Sequence, residues 1–475
     1  MKQVELLKKL VQNFPFQPSK DQKAALHGLS EFVLDLEPRT AFVLKGYAGT
    51  GKTTLMQSLV KSLPEFNRKV VLLAPTGRAA KVISAYTGKQ AFTVHKKIYT
   101  PKNQKGQVQF VLEENKASNT IFIVDEASMI GDGNSDSKLF QGGSLLDDLV
   151  QYVYSGLNCK LMLVGDIAQL PPVGLQMSPA MEPFLLEGRF RLSLREYELR
   201  EVQRQAKNSG ILFNANQLRF LQDDVPYKIP KFNLNLPDVV RISESYELEE
   251  ALNEAYKGKG VEGAVVICRS NKRANTYNQE IRSRIRWYDS ELSVGDHLMV
   301  VKNNYFWLPK SSKAGFIANG DVVEITYIRD IKDMYGFRFA RISAKLIDYP
   351  EEPELETVIL LDTLTADGPA LAYEDSNKLY QEVNKHYMTE KHSYRRFMKV
   401  KSDPYFNALQ VKFAYAVTCH KAQGGQWDTV FLEQAWLPDG EINSDYLRWL
   451  YTAFTRAVSK IYLIGFGKEY FESED

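Results

Sequence analysis

The chain has 475 residues, with 60 Lys and Arg against 58 Asp and Glu for a formal net charge of +2, and is 44% hydrophobic and 25% charged. That length predicts about two to four domains, with ample apolar material for several cores. The composition excludes a disordered chain, a collagen-like fibre and a polybasic coat protein, but not a narrow basic groove for nucleic acid on a near-neutral molecule.

Taken in chain order, the opening MKQVELLKKLVQNF reads as an amphipathic helix, with Val4, Leu7 and Val11 on one face and Leu6 and Leu10 beside it. It lacks the continuous apolar run and cleavage site of a signal peptide, and no stretch reaches the length needed to span a bilayer. Cys159, Cys268 and Cys419 lie far apart and form neither a disulfide framework nor a zinc pair. A cytoplasmic protein without membrane contact is expected. From residue 40 to about 205, apolar runs alternate with helical stretches, and strands are predicted at Ala41–Leu44, Val70–Leu73, Ile121–Val124 and Leu161–Val164. This rhythm predicts a parallel sheet covered by helices. Ile98–Glu113 reads as a hairpin around an Asn103–Gly106 turn, inserted in this unit. After the Pro-punctuated Val225–Pro237, a second α/β unit begins near Gly263. Four β-rich segments between Leu292 and Leu364 predict a small barrel, and the α/β pattern returns at Gln410.

Gly46-Tyr-Ala-Gly-Thr-Gly-Lys52-Thr53 matches G-x-x-x-x-G-K-[ST] in full, after an apolar strand and before a helix. In such a loop the glycines turn backbone N–H groups toward phosphates, the lysine supplies a compact charge, and the threonine hydroxyl ligates Mg²⁺. The helix start adds partial positive charge at the same point. Ile121-Phe-Ile-Val-Asp125-Glu126 is the matching apolar strand ending in carboxylates: Asp125 would hold Mg²⁺ and Glu126 would polarise the attacking water. These residues predict hydrolysis of ATP or GTP. No histidine spacing suggests a transition metal.

The segments Ala74-Pro-Thr-Gly-Arg-Ala-Ala80, Thr93-Val-His95, Asp125-Glu-Ala-Ser128, Val164-Gly-Asp-Ile-Ala-Gln169-Leu-Pro-Pro-Val173, Leu199-Arg-Glu-Val-Gln-Arg204-Gln, Val417-Thr-Cys-His-Lys-Ala-Gln-Gly424 and Tyr451-Thr-Ala-Phe-Thr-Arg456-Ala457 follow one another along the chain between about residues 17 and 457. Together they resemble the motifs of superfamily 1 DNA helicases, in the variants of the RecD/Dda-like branch that moves 5′→3′ on single-stranded DNA. The resemblance implies an α/β fold with two RecA-like P-loop domains. The first would span 1–205, with a hairpin insertion at 96–118. The second would comprise 206–291 and 405–475, interrupted by a β-rich, SH3-like barrel insertion at 292–404.

It also implies an ATP site between the domains. Gly46, Ala48, Gly49, Thr50, Gly51, Lys52, Thr53 and Thr54 would hold the phosphates and Thr53 with Asp125 the Mg²⁺. Lys52, Glu126, the sensor Gln169 and the arginine fingers Arg204 and Arg456 would carry the hydrolysis. Gln22 fits either an adenine-reading role or a helix capping box with Ser19. Gln426 stands where relatives carry a glutamate near the ribose. DNA contacts are implied for Thr76, Gly77, Arg78, Thr93, His95, Ser270, Asn271, Thr418, His420 and Lys421, all phosphate contacts without sequence reading. The partners so implied are single-stranded DNA and single-strand/duplex junctions, engaged by a monomeric motor. Replication, recombination and repair remain open, and an RNA or hybrid helicase, or a non-unwinding ATPase or assembly factor, are the alternatives.

Four features admit more than one reading. Tyr99 and Phe110 could stack on the first base pair as a duplex-splitting pin, or brace the hairpin. Tyr305-Phe306-Trp307 could form a base platform or barrel core. The stretch 348–375 has nine acidic residues and no Lys or Arg; it could be a solvated face, could repel nucleic acid, or could dock a protein partner. The neighbouring Lys385, Lys391, Arg395, Arg396, Lys399 and Lys401 fit a DNA-facing surface or an ordinary charged helix.

Overall fold

The computed structural model describes residues 2–104, 107–133, 144–202, 209–309, 312, 314–437 and 440–472. The first domain is a parallel six-stranded sheet of β1 (Thr40–Gly46), β2 (Lys69–Ala74), β3 (Ala91–Thr93), β6 (Thr120–Val124), β7 (Lys160–Gly165) and β8 (Ser193–Leu199), ordered β3-β2-β6-β7-β1-β8. Between β3 and β6 comes the antiparallel hairpin β4 (Tyr99–Gln104) and β5 (Gln107–Leu112). The central strands are continuous apolar runs because helices cover both faces. Phe42 and Leu44 face the helices Lys2–Gln12, Lys20–Leu34 and Lys52–Ser62, whereas Ala41 and Val43 face the helix Leu145–Ser155. In the N-terminal helix, Leu6 and Leu10 form the buried stripe, while Val4 and Val11 are exposed.

The second domain is again fully parallel, ordered β16-β10-β17-β18-β9. It starts with β9 (Val239–Ile242) and β10 (Ala264–Cys268). The chain then leaves to build a closed barrel of β11 (His297–Val300), β12 (Val322–Met334), β13 (Phe337–Leu346), β14 (Leu355–Leu360) and β15 (Leu409–Phe413). It returns for β16 (Ala416–Thr418), β17 (Trp427–Glu433) and β18 (Ala457–Ile464). β15 pairs with both β14 and β11 and so closes the barrel. The insertion therefore extends past the expected boundary at 404 to Phe413. A single strand at the seam looks the same in sequence whichever sheet it joins.

The basic stretch forms the end of the helix Tyr373–His386 and the helix Ser393–Lys401, which pack Leu379, Val383 and Val400 against Phe337 and Phe339 of the barrel. Within the acidic run, Asp348 pairs with Lys81 at 3.1 Å, Glu352 accepts from the Ala314 N–H and Asp362 accepts from the Arg338 N–H, while Glu354, Glu356, Asp367, Glu374 and Asp375 are exposed. The hairpin aromatics brace. Buried Tyr99 donates to Asp148 Oδ2 at 2.6 Å, and Phe110 packs its ring 4.2 Å from that of Tyr305. Tyr305 thus joins the first domain's core, Trp307 donates its indole N–H to the Asn407 carbonyl, and Phe306 remains half-exposed. Lys105 and Gly106 of the expected turn, and 134–143 of the polar loop after Glu126, lie outside the described residues.

The barrel is seated on the second domain by a buried ion pair. Arg282 donates through Nε and Nη2 to both oxygens of Asp296, each at 2.9 Å. Asp296 also accepts from the Tyr415 hydroxyl and the Ser293 N–H, so its charge is fully satisfied. Replacing one partner alone leaves the other charge buried and uncompensated. Arg282→Met is expected to cost about 3–5 kcal/mol in guanidinium unfolding, with much of the loss recovered by pairing it with Asp296→Leu.

Candidate active site and nucleic-acid interface

A cleft of about 880 Å³ opens where the two α/β domains meet. Its floor is the loop after β1. Gly49 and Gly51 take φ of +73° and +90°, a region that disfavours side chains, and a Cβ on Gly51 would lie 2.5 Å from Gln22 Nε2. Lys52, Thr53 and Thr54 open the following helix and line the cleft with Ala48, Gly49 and Gly51. Gly46 and Thr50 serve the loop itself: the Thr50 hydroxyl donates to the Tyr47 carbonyl at 2.8 Å. Lys52 Nζ donates to the Gly46 and Tyr47 carbonyls at 2.7 and 3.0 Å and lies 3.8 Å from Asp166 Oδ2.

Asp125 and Glu126 follow β6. Burial, then the neighbouring Glu126, push the Asp125 carboxyl up to about 7, against the opposing pull of Lys52 and Arg456. Asp125 and the Thr53 hydroxyl form an all-oxygen, hard donor set, and the buried carboxylate gains charge compensation from a dication, so these residues fit Mg²⁺. Glu126 takes a left-handed φ of 52°, unusual for a residue with a side chain, and it lines the cleft beside Asp125. Arg456 reaches in from the second domain. It is 3% exposed, held by the Thr452 and Gly425 carbonyls, and its Nη1 stands 3.8 Å from Glu126 Oε1. Gln169, 5% exposed, lines the cleft with its Oε1 buried and unpartnered among the described residues. That unmet acceptor suits an ordered water or nucleotide group.

Gln22 completes the capping box: its Oε1 accepts from the Ser19 N–H and its Nε2 donates to the Thr50 carbonyl at 2.8 Å. Both ends of the amide are thus committed to the protein, and the residue ties this helix to the phosphate loop at the cleft wall. Gln426 lines the opposite side, accepting from the Tyr86 hydroxyl at 3.1 Å. Arg204 lies outside the described residues; Val202 and Ser209 on either side of that segment line the cleft. Sequence reasoning left Asp166 and the aromatics Phe14, Phe16, Tyr47 and Tyr86 without a role, although all but Asp166 contribute apolar wall to the cleft. Asp166 lay inside a quoted motif; the aromatics come from four places in the chain and carry no shared spacing.

A second pocket, of about 290 Å³, lies at the strand ends of both domains. β2 and β3 pair in parallel with Ala74 opposite Thr93, so the loops after them are neighbours. Thr76 and Thr93 each cap the helix that follows, accepting from the Ala79 and Lys96 N–H groups. With His95 they form one wall, His420 and Lys421 another, and Asn303, Phe316 and Asn319 of the barrel the third. Lys421 donates to the Asn319 side chain. Burial holds His95 down at about 4, hence neutral at ordinary pH, and burial with nearby Lys412 lowers Lys421 to about 8.

Gly77, Arg78, Ser270, Asn271 and Thr418 do not line this pocket. Arg78 places its guanidinium 4.4 Å over the Trp427 ring and faces Asp348 and Asp321 of the barrel side. In this structure Arg78 thus joins the first domain to Trp427 of the second. Gly77 abuts the barrel as well: a Cβ there would lie 2.6 Å from Asp321 Oδ1. Ser270 caps the helix Asn271–Glu280, beside Thr418 through the pairing of β10 with β16. The barrel residues of the pocket had no sequence signal, since they meet the motifs only through the fold.

The cleft and the pocket share one connection. Gln423, which lines the pocket, donates from Nε2 to the Leu170 carbonyl at 2.7 Å, one residue beyond cleft-lining Gln169. The Leu170 N–H donates to the Thr452 hydroxyl at 2.8 Å.

Residues 18–220 match the family model described as AAA domain, and residues 413–464 match the UvrD-like helicase C-terminal domain. An uncharacterized protein of Methanocaldococcus jannaschii is 24% identical over 486 residues, covering 94% of this chain and 38% of the relative. The ATP-dependent RecD2 DNA helicase of Deinococcus radiodurans is 33% identical over 201 residues, covering 41% and 24%. The ATP-dependent DNA helicase dda of Enterobacteria phage T4 is 26% identical over 274 residues, covering 56% and 57%. The chain thus spans less than two thirds of the length of each of these three relatives. A nucleotide-binding domain model and a helicase C-terminal domain model thus match in order on either side of the inserted barrel, and the chain is similar in sequence to the RecD2 and dda DNA helicases.

Proposed function

We propose that the protein is an ATP-driven motor that moves 5′→3′ on single-stranded DNA and unwinds duplex ahead of it. The observation that carries this reading is the split site: Lys52, Asp125 and Glu126 come from one domain and Arg456 from the other, and a strand-end pocket spans the same two domains. In the working cycle ATP draws the domains together, with Lys52 and the loop amides on the phosphates and Arg456 neutralising charge that develops on the γ-phosphate. Thr53 and Asp125 would hold Mg²⁺, which when bound would supply charge compensation for the phosphates. Glu126 accepts a proton from the attacking water, which Gln169 orients. Thr76, Thr93, His420 and Lys421 hold the DNA backbone alternately as the domains close and reopen. Both halves of the ATP site lie in one chain, which supports a monomeric motor.

Single-stranded DNA is expected to stimulate ATP hydrolysis, and duplex with only a 5′ overhang to be unwound while duplex with only a 3′ overhang is not. Lys52→Ala should abolish both activities. Glu126→Gln should lower turnover by about 10²–10⁴-fold while retaining ATP binding. Activity on the 3′ overhang alone would overturn the polarity, and stronger stimulation by a matched RNA strand would turn the reading to an RNA motor.

The lowered Lys421 adds a pH dependence. Its ammonium is charged below about 8 and is lost above it, so affinity for a single-stranded oligonucleotide, measured by fluorescence anisotropy, should weaken between pH 7 and 9. Lys421→Arg, charged throughout that range, should flatten the profile.

A further inference from the structure

Arg456 is not the second domain's only hold on the ATP site. Tyr451, five residues earlier on the helix Ser444–Phe454, is 1% exposed and sends its hydroxyl into the first domain. That oxygen accepts from the Ala48 N–H of the phosphate loop at 2.8 Å and donates to Asp166 Oδ2 at 2.7 Å. Asp166, 1% exposed at the end of β7, accepts from the Ala168 N–H through Oδ1 at 3.0 Å. Its Oδ2, the atom that Tyr451 bonds, is also the one 3.8 Å from Lys52 Nζ. One phenol oxygen therefore connects the moving domain, the phosphate loop and the carboxylate beside the essential lysine.

The chemistry of this chain limits what Tyr451 can do. Burial and the adjacent Asp166 hold the phenol well above its ordinary range, so it stays protonated and acts as a fixed hydrogen-bond donor. Lys52, by contrast, must exchange partners: it now bonds the Gly46 and Tyr47 carbonyls with Asp166 near, and phosphates require it to turn outward. A donor on Asp166 Oδ2 satisfies part of that oxygen's charge and weakens its claim on the ammonium. When the second domain withdraws, the donor leaves, Asp166 regains that claim, and the Ala48 N–H loses its partner.

We propose that Tyr451 is a positioning residue that reports domain closure to the phosphate loop, releasing Lys52 from Asp166 and fixing the Ala48 amide only when the second domain is seated. This inference rests on the ATP-driven motor reading and extends it to a residue outside the cleft lining.

The test is steady-state ATP hydrolysis by the full chain with saturating oligo(dT), comparing wild type, Tyr451→Phe, Asp166→Asn, the double variant and Lys52→Ala. Tyr451→Phe keeps the buried ring and removes only the hydroxyl. It is expected to lower kcat about tenfold while the KM for ATP changes less than about twofold. The double variant should be slower than Asp166→Asn alone by clearly less than the factor that Tyr451→Phe costs in the wild type, since without the carboxylate only the hold on the Ala48 amide remains to be lost. A merely structural tyrosine would instead give losses that multiply with those of Asp166→Asn. Because both members of that comparison carry the same Asp166 change, the ratio decides the question even if the phenylalanine lowers stability. Tyr451→Phe turnover within twofold of wild type, or multiplicative losses, would overturn this inference alone. Absence of DNA stimulation in the wild type, or full activity in Lys52→Ala, would overturn the motor reading itself.

Discussion

Everything in this molecule depends on an active site that neither domain can complete. The 3.8 Å separation of Arg456 from Glu126 is set by packing between two sheets that share no strands, with Arg456 buried and Glu126 partly exposed. A buried guanidinium is costly alone and compatible when it faces carboxylates. In the proposed motor, domain closure and assembly of the hydrolysis site are therefore one event, and that identity lets a chemical step become a mechanical one.

The same economy appears at the strand pocket. Its walls come from the N-terminal ends of short helices that follow parallel strands, where capping hydroxyls and free amides already favour an anion. Two such edges, one from each sheet, and a barrel loop leave a narrow polar slot. The barrel is held on both sides, by the Arg282–Asp296 pair on the second domain and by Lys81 against Asp348 on the first. A near-zero net charge is compatible with a narrow slot of local positive charge such as the one that Lys421 lines.

Legibility in the sequence followed the range of the interactions. The phosphate loop, the Asp125–Glu126 strand end, the parallel strands of the first domain and the hairpin were all readable, because each is encoded within about ten to twenty adjacent residues as period, glycine placement or apolar run. Gln22 illustrates the limit. Its local capping signal was correct, but only the fold shows that the amide's other end goes to Thr50. Arg78 illustrates what local pattern omits: nothing in its motif signals the ring of Trp427, far along the chain, on which its guanidinium rests. β15 was misplaced for a related reason, since a five-residue apolar strand contains no record of its neighbours.

By itself the sequence determined which chemistry this protein carries: the glycines that permit a phosphate loop, the carboxylates and lysine that serve it, and the arginine and polar strand ends that resemble a helicase's. Those are properties of residue type at fixed short spacing. Only the tertiary structure decided which of these groups meet, that Arg78 rests on the Trp427 ring, that Gln423 and Gln169 are joined through Leu170, and that Tyr451 touches both Ala48 and Asp166. Contacts across hundreds of residues depend on how two domains and a barrel pack, and packing is a property of complementary surfaces that no local pattern encodes.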